Sequence, residues 1–380
     1  MLQRLTALFL LLVLATSSCA LPGLVQPTDT PLAATPTVMA SETVAPPAAA
    51  QPTAMPTPVT LTVMTHDSFA ISESVIAAFE AEHNAHVEFL KAGDTGQALS
   101  AAILSRGNPL ADVFYGVDNT FLSRALTEDI FEVYDSPLLA DIPESFQLDP
   151  THHALPVDYG DVCLNYDRAY FTEHNLQPPQ SLEDLTRPEY RGLLVVENPA
   201  TSSPGLAFLL ATVGHFGPDR YLDFWSALRQ NDVLVVDGWE TAYYTEFSGS
   251  AGAGPRPIVV SYGSSPPFEM IYAATPLTEP PTAAVVSDDT CFRQVEFVGI
   301  LQGTANRALA EAWIDFMLSP TFQEDMPLQM YMFPVNPSAR LDERFVRYLA
   351  VPEHPAFVSP ADIAANRETW IEAWTETVLR

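Results

Sequence analysis

Residues 192–217 read GLLVVENPATSSPGLAFLLATVGHFG. Leu193–Val196 is a short apolar run followed by Glu197 and then Asn-Pro, which reads as a strand. Ser203 then offers a helix N-cap, Pro204 stands in the first turn, and an apolar helical stretch follows. A strand leading directly into a helix is the repeating unit of a parallel sheet wrapped in helices. The same alternation is legible before it. TLTVMT (residues 60–65) is a strand, and the segment up to His83 is helical in spacing, with Ile76, Ala77 and Phe79 turned to a core. AHVEFL is a second strand, TGQALSAAILSRGNP a helix stopped by Gly107 and Pro109, and ADVFYGV a third strand. VLVV (residues 233–236) and PIVVSYGSSP add two more, and the C-terminal third is largely helical. The fold expected is α/β, in two lobes.

The chain has 380 residues, with 47 acids against 17 Lys and Arg and a formal charge of −30. That balance excludes nucleic acid as a partner, because no basic stripe exists to replace phosphate counterions. Residues 1–18 read as an export signal, with Arg4 ahead of an apolar stretch too short to span a bilayer. TSSC ends at Cys19 like a bacterial lipoprotein box, which predicts a lipidated N-terminus and attachment to the outer face of the cell membrane. Thr16 stands where such boxes usually carry Leu, so ordinary signal-peptide cleavage is the alternative. Residues 19–58, rich in Pro, Thr and Ala, read as an extended tether reaching ~3 Å per residue. Cys163 and Cys291 sit in apolar segments of an exported chain, so they pair in a disulfide or remain two buried thiols. No CxxC or His/Cys spacing marks a metal site, and no cofactor is expected.

Ligands of open α/β sheets bind at the carboxyl ends of strands. His66, Asp67 and Ser68 follow the first strand, and Asp118 and Asn119 follow the third. Thr201, Ser202 and Ser203 follow LLVV; Trp239, Tyr243 and Tyr244 follow VLVV; Tyr262, Ser264 and Ser265 follow PIVVS. Carboxylates dominate the first half of this set, hydroxyls and rings the second. The bland readings are loop caps for the acids, a capped helix for TSSPG, and core packing for Trp239. Trp225, Trp313, Trp370 and Trp374 fall at helical spacing and are expected in the core.

VMTHDSFA, ADVFYGVDNTFLSRA, PVDYGDVCLNYD, NPATSSPGLAFLLA, DGWETAYYTEF, VVSYGSSP, QVEFVG and DFMLSPTFQEDMPLQMYMFPVNP, in this order, resemble the thiamine-binding receptors of bacterial ABC importers. The resemblance covers nearly all of residues 59–380. It implies a two-lobed type II periplasmic-binding fold with a hinge and an interlobe ligand cleft. It also implies a monomer that hands its ligand to a permease and ATPase. Lobe 1 would comprise 59–156 plus 275–380, and lobe 2 residues 157–274. Carried over position by position, Asp158 and Tyr159 of DYG would lie at the crossing between lobes. The ring-stacking residues would be Trp239, Tyr243 or Tyr244, and Tyr262. Asp67 and Asp118 would be the acids, and Ser202 the phosphate-side serine. The sequence departs from the family pattern at His66, where the family has tyrosine, and at Tyr331, where it has tryptophan. A further family tryptophan is missing from AISES.

Thiamine joins an aminopyrimidine to a permanently cationic thiazolium, so its receptor needs flat faces and carboxylates. Desolvated aromatic faces attract a cation by ~0.5–2 kcal/mol each. The backbone amides of the TSSPG helix start are the seat expected for a phosphate, if the ligand carries one. Trp239→Ala is expected to weaken binding at least tenfold without loss of stability. The rival in the same superfamily is a ferric-ion receptor using Tyr243, Tyr244, His66 and Asp118 as hard donors. No GxSxG or HExxH motif suggests an enzyme.

Overall fold

The computed structural model describes residues 57–249 and 254–380. The export signal, Cys19 and all but the end of the 19–58 tether lie outside the described residues. The chain opens with β1 (Val59–Thr65), α1 (Glu73–His83), β2 (Ala85–Lys91), α2 (Thr95–Leu104) and β3 (Val113–Asp118). β1 pairs in parallel with both β2 and β3. After α3 (Leu122–Thr127) and β4 (Phe131–Glu132), the long β5 (Leu155–Asp167) leads to α4 (Arg168–Glu173). A second block follows with β6 (Leu194–Glu197), α5 (Ser203–Phe216), α6 (Tyr221–Gln230), β7 (Leu234–Val236) and β8 (Ile258–Tyr262). β6 pairs in parallel with β7 and β8, so it repeats the arrangement around β1.

The chain then runs through α7 (Ser265–Ile271), β9 (Thr282–Val285) and the long β10 (Phe292–Leu301). It closes with α8 (Arg307–Leu318), α9 (Pro320–Gln323), α10 (Met326–Gln329), β11 (Phe333–Pro334), α11 (Glu343–Tyr348) and α12 (Pro360–Val378). The main sheet order is β2-β1-β3-β10-β5-β8-β6-β7. β10 lies antiparallel to β3 at the edge of the first block, and β5 antiparallel to β8 at the edge of the second. The two blocks meet where β10 and β5 pair antiparallel, with a register shift at Glu296/Phe297. A bulge sharpens twist and bends the strand.

The elements form where local chemistry favours them. The Asp94 side chain caps α2, accepting from the Thr95 amide. Ser202, rather than the expected Ser203, caps α5 by accepting from Gly205 N–H, with proline in the first turn. α5 is buried continuously from Ser203 to Val213, and β3 is buried throughout. In α1 only Phe79 is buried; Ile76 is partly covered and Ala77 is exposed, because the helix lies at the surface and turns a narrow stripe inward. Trp225, Trp313, Trp370 and Trp374 are all buried, Trp225 and Trp374 packing edge to face. Cys163 of β5 and Cys291, just before β10, are joined by a disulfide spanning 128 residues. No described helix is long and apolar enough to cross a membrane.

Candidate functional site

The carboxyl ends of β1, β2, β7 and β8 converge on a cavity of ≈ 280 Å³. His66, Ser68 and Phe69 enter it from the loop after β1, and Lys91, Asp94 and Thr95 from the end of β2 and start of α2. Ser203, Trp239, Glu240, Tyr244 and Tyr262 come from the second block, and Phe268 and Tyr272 from α7 and the residue that follows it. Glu296 of β10 and residues 329–332 complete the wall. A second cavity, ≈ 530 Å³, is more apolar and is lined by Phe146, Phe292, Phe357 and Ile363 among others. It lacks the first cavity's convergence of acids and rings.

The aromatic wall is tightly organised. Trp239 donates its indole N–H to Ser261 Oγ at 3.0 Å and stacks on Tyr243, with centroids 5.0 Å apart at 15°. Tyr244 and Tyr331 meet Trp239 edge-on, at 5.4 and 5.6 Å. Their hydroxyls share a hydrogen bond of 2.8 Å. Tyr331 also stacks on Phe268 at 3.4 Å between centroids. Its backbone adopts a left-handed φ of 62°, and its carbonyl accepts from Ser264 Oγ. A bulky residue held at positive φ is costly, and such strain concentrates at ligand sites. Tyr243 and Tyr244 lie on a π-helical turn, Thr241–Glu246, whose wider winding sends adjacent rings in different directions, 89° apart.

The electrostatics are lopsided. Asp94, Glu240 and Glu296 line the cavity against one lysine, Lys91. Lys91 Nζ donates to the Asp67 carbonyl oxygen at 2.8 Å. Asp94 accepts from three backbone amides: Thr95 at 2.6 Å, Trp239 at 3.0 Å and Ser203 at 3.4 Å. Burial outweighs these bonds and pushes its carboxyl up to about 6. His66 is buried, and desolvation, followed by repulsion from Lys91, lowers its imidazole to about 4, so it is neutral near pH 7. Its Nδ1 shares a hydrogen bond with Ser68 Oγ at 3.0 Å, while its Nε2 stands 3.7 Å from Glu296 with no hydrogen-bond partner among the described residues. Gly116 is required beneath it: its φ is +109°, and a Cβ there would lie 2.5 Å from His66 Cδ2.

The expected residues divide. His66, Ser68, Ser203, Trp239, Tyr244, Tyr262 and Tyr331 line the cavity. Asp67 flanks it, partly exposed, and takes part through its backbone. Asp118 is fully buried behind the wall and accepts from Thr120 Oγ1 and Phe121 N–H, as a loop cap does. Asn119 belongs to the second cavity and bridges to β10 at Arg293 and Val295. Asp158 is buried in the seam, because the β5 pleat turns it inward. Tyr159, on the opposite face, is stacked between Phe146 and Phe333. Ser202 accepts the capping bond of α5 and its hydroxyl also hydrogen-bonds Asp94, Tyr243 lies behind Trp239 with its hydroxyl on Glu269, and Ser264 positions Tyr331. Ser264, Ser202 and Tyr243 thus support the wall from behind. Trp239 is only 6% exposed, so it is core and wall at once. Its truncation must cost stability, contrary to the expectation from sequence.

Asp94, Lys91, Glu240, Glu296 and Phe268 were missed. Asp94 follows the end of β2 just as His66 follows β1, so the same strand-end search would have found it. Glu296 is a lone acid in the apolar strand QVEFVG, a second readable signal.

Comparisons with known proteins agree with this architecture. Residues 108–352 match the model of a family described as bacterial extracellular solute-binding protein. The thiamine-binding periplasmic protein of Escherichia coli strain K12 is 30% identical over 328 residues, covering 83% of this chain and 92% of that protein. A solved periplasmic thiamin binding protein superposes with a TM-score of 0.72 at 28% identity, covering 84% of this chain and 96% of its own. Iron-bound HitA from Pseudomonas aeruginosa superposes with a TM-score of 0.67 at 20% identity over 83% of this chain and 99% of its own, a likeness of fold alone. With its repeated sheet blocks joined at a bulged seam and its cavity at the strand ends, the chain belongs to the bacterial extracellular solute-binding protein family and has the type II periplasmic-binding fold.

Proposed function

We propose that this chain is the extracytoplasmic receptor of an ABC importer and captures thiamine or a closely related planar cation. The observation that carries this reading is the cavity wall: Trp239, Tyr244, Tyr262, Phe268 and Tyr331 surround a space rimmed by Asp94, Glu240 and Glu296. Rings and carboxylates together suit a flat cation, each desolvated face adding ~0.5–2 kcal/mol. Two or three such faces and one carboxylate are enough for submicromolar binding, roughly −8 kcal/mol. The similarity to thiamine-binding periplasmic proteins, over most of both chains, supports the same ligand class.

Contacts from both sheet blocks give the ligand its means of shifting the protein toward a closed form. Asp94 of the first block reaches the Trp239 and Ser203 amides of the second, and Gly96 N–H donates to Thr201 O at 2.9 Å. A ligand shifts an open–closed equilibrium only by binding one state better, which contacts from both sides provide. In this proposal β5 and β10 act as the hinge, Cys19 carries the lipid anchor, and the closed receptor docks on its permease. The iron reading is disfavoured by the two tyrosines: Tyr243 binds Glu269 and Tyr244 binds Tyr331, so their hydroxyls do not converge. Mass spectrometry of small molecules released on unfolding the purified protein tests the assignment. Thiamine or a derivative is expected; a visible charge-transfer band on adding ferric ion, with no thiamine affinity, would overturn it.

A further inference from the structure

Three carboxyls stand side by side across the seam. The register sets Glu296 of β10 opposite Asp118 of β3 on one side and opposite Asp158 of β5 on the other. Like charges directly opposite on a sheet repel at such spacing. All three are buried, at 3% exposure or less. Among them stands the phenol of Tyr115, whose oxygen is 2.5 Å from Asp158 Oδ2 and 2.9 Å from Glu296 Oε2. A phenol has one hydrogen and can donate to one carboxylate at a time. Both contacts are short, and they are best satisfied when one of the two carboxyls carries a proton, since Asp158 and Glu296 also hydrogen-bond each other. The geometry thus favours a proton shared between Glu296 and Asp158.

Glu296 is the member of this cluster that reaches the cavity. The groups facing it are Tyr115 and Asp118 from β3, Asp158 from β5, His66 from the loop after β1, and Tyr262 from β8. His66 is neutral and cannot balance an ionised Glu296. Lys91 and Asp94 lie farther along the same wall.

We propose that Glu296 is the cation-selecting residue of the site and exchanges the proton it shares with Asp158 for the positive charge of the ligand. The inference rests on the reading that the cavity takes a planar cation. Charge is conserved: a cation enters, one proton leaves to solvent, and the buried cluster keeps the same net charge throughout. A neutral ligand of the same shape releases no proton and gains no such exchange. Desolvation and repulsion from Asp158 both hold the Glu296 carboxyl above its ordinary range, so the proton is retained until a cation arrives.

The test is calorimetric titration with thiamine at pH 8 in buffers of different ionisation enthalpy, where Asp94 is already ionised. The slope of observed enthalpy against buffer enthalpy is expected to report about one proton released per thiamine. Glu296→Gln should bring that slope close to zero and narrow the preference for thiamine over an uncharged thiophene isostere by about tenfold. Asp158→Asn leaves Tyr115 free to serve Glu296 alone, so its slope should fall as well; it provides the readout if Glu296→Gln does not fold. Thiamine binding with zero slope in the unmodified protein would overturn the exchange and leave the ligand assignment standing. An unchanged slope in either folded variant would overturn the role of this cluster. No binding of thiamine at all would overturn both.

Discussion

Asp94→Asn separates ligand capture from fold stability, because the structure predicts opposite effects on the two. The Asp94 carboxylate spans the cavity, taking Thr95 and Ser203 amides on one oxygen and the Trp239 amide on the other. Asparagine keeps one acceptor, and its amino group must then face an N–H. Hydrogen bonds to charged groups contribute ~1.5–3 kcal/mol each. Losing the bond across to the second block weakens the closed form that holds the ligand. With the lost carboxylate charge beside a cation, this predicts roughly 10–100-fold weaker binding at pH 8, while the net burial penalty on the charge is relieved. Stability should move the other way. Burial raises this carboxyl from 3.8 to about 6, so the folded chain holds a proton that the unfolded chain has lost. Wild-type stability therefore falls as pH rises from about 4 to about 6, and the loss, on the order of 3 kcal/mol, persists above that. The asparagine variant carries no such loss. Its melting temperature in the absence of ligand should equal or exceed wild type at pH 8, with the advantage shrinking toward pH 4. Paired calorimetric titrations and thermal melts at both pH values provide the assay. Affinity and melting temperature falling together at pH 8 would show that Asp94 is a structural cap and not part of the ligand wall.

Trp239→Ala is expected to weaken thiamine binding at least tenfold and also to cost ~3–5 kcal/mol of stability, since a buried ring is deleted. Trp239→Phe should keep most of the stability, and a denaturant series on both variants checks the contrast. Replacing Cys163 and Cys291 with serine opens a loop of 128 residues, for which chain entropy predicts a loss of about 5 kcal/mol. Chemical denaturation with and without reductant measures it, and a change below about 1 kcal/mol would contradict the estimate. Asp94 occupies the amide seat at the start of α5 that a phosphate would need. The free alcohol is therefore expected to bind more tightly than its phosphate ester at pH 8, and Asp94→Asn should narrow that gap. Equal affinity of the wild type for both would show that Asp94 yields its place.

Strand-to-helix alternation, written in GLLVVENPATSSPGLAFLLA and its counterparts, was sufficient for an α/β fold, because local periodicity and capping are short-range properties. The same logic placed His66, Trp239 and Tyr262 near a site, since strand ends in such sheets face one crevice. Adjacency in sequence said nothing about which way each side chain turned. Tyr243 and Tyr244 are neighbours, yet a π-helical turn sends one behind Trp239 and the other to the rim. Asp158 and Tyr159 alternate across a pleat, so one joins a buried carboxyl cluster and the other an aromatic stack. The row of Asp118, Glu296 and Asp158 joins residues far apart in the chain, and only strand register brings them together. Composition and periodicity decided what kinds of element form. Long-range pairing decided which charges must share a space, and with it the chemistry of the cavity.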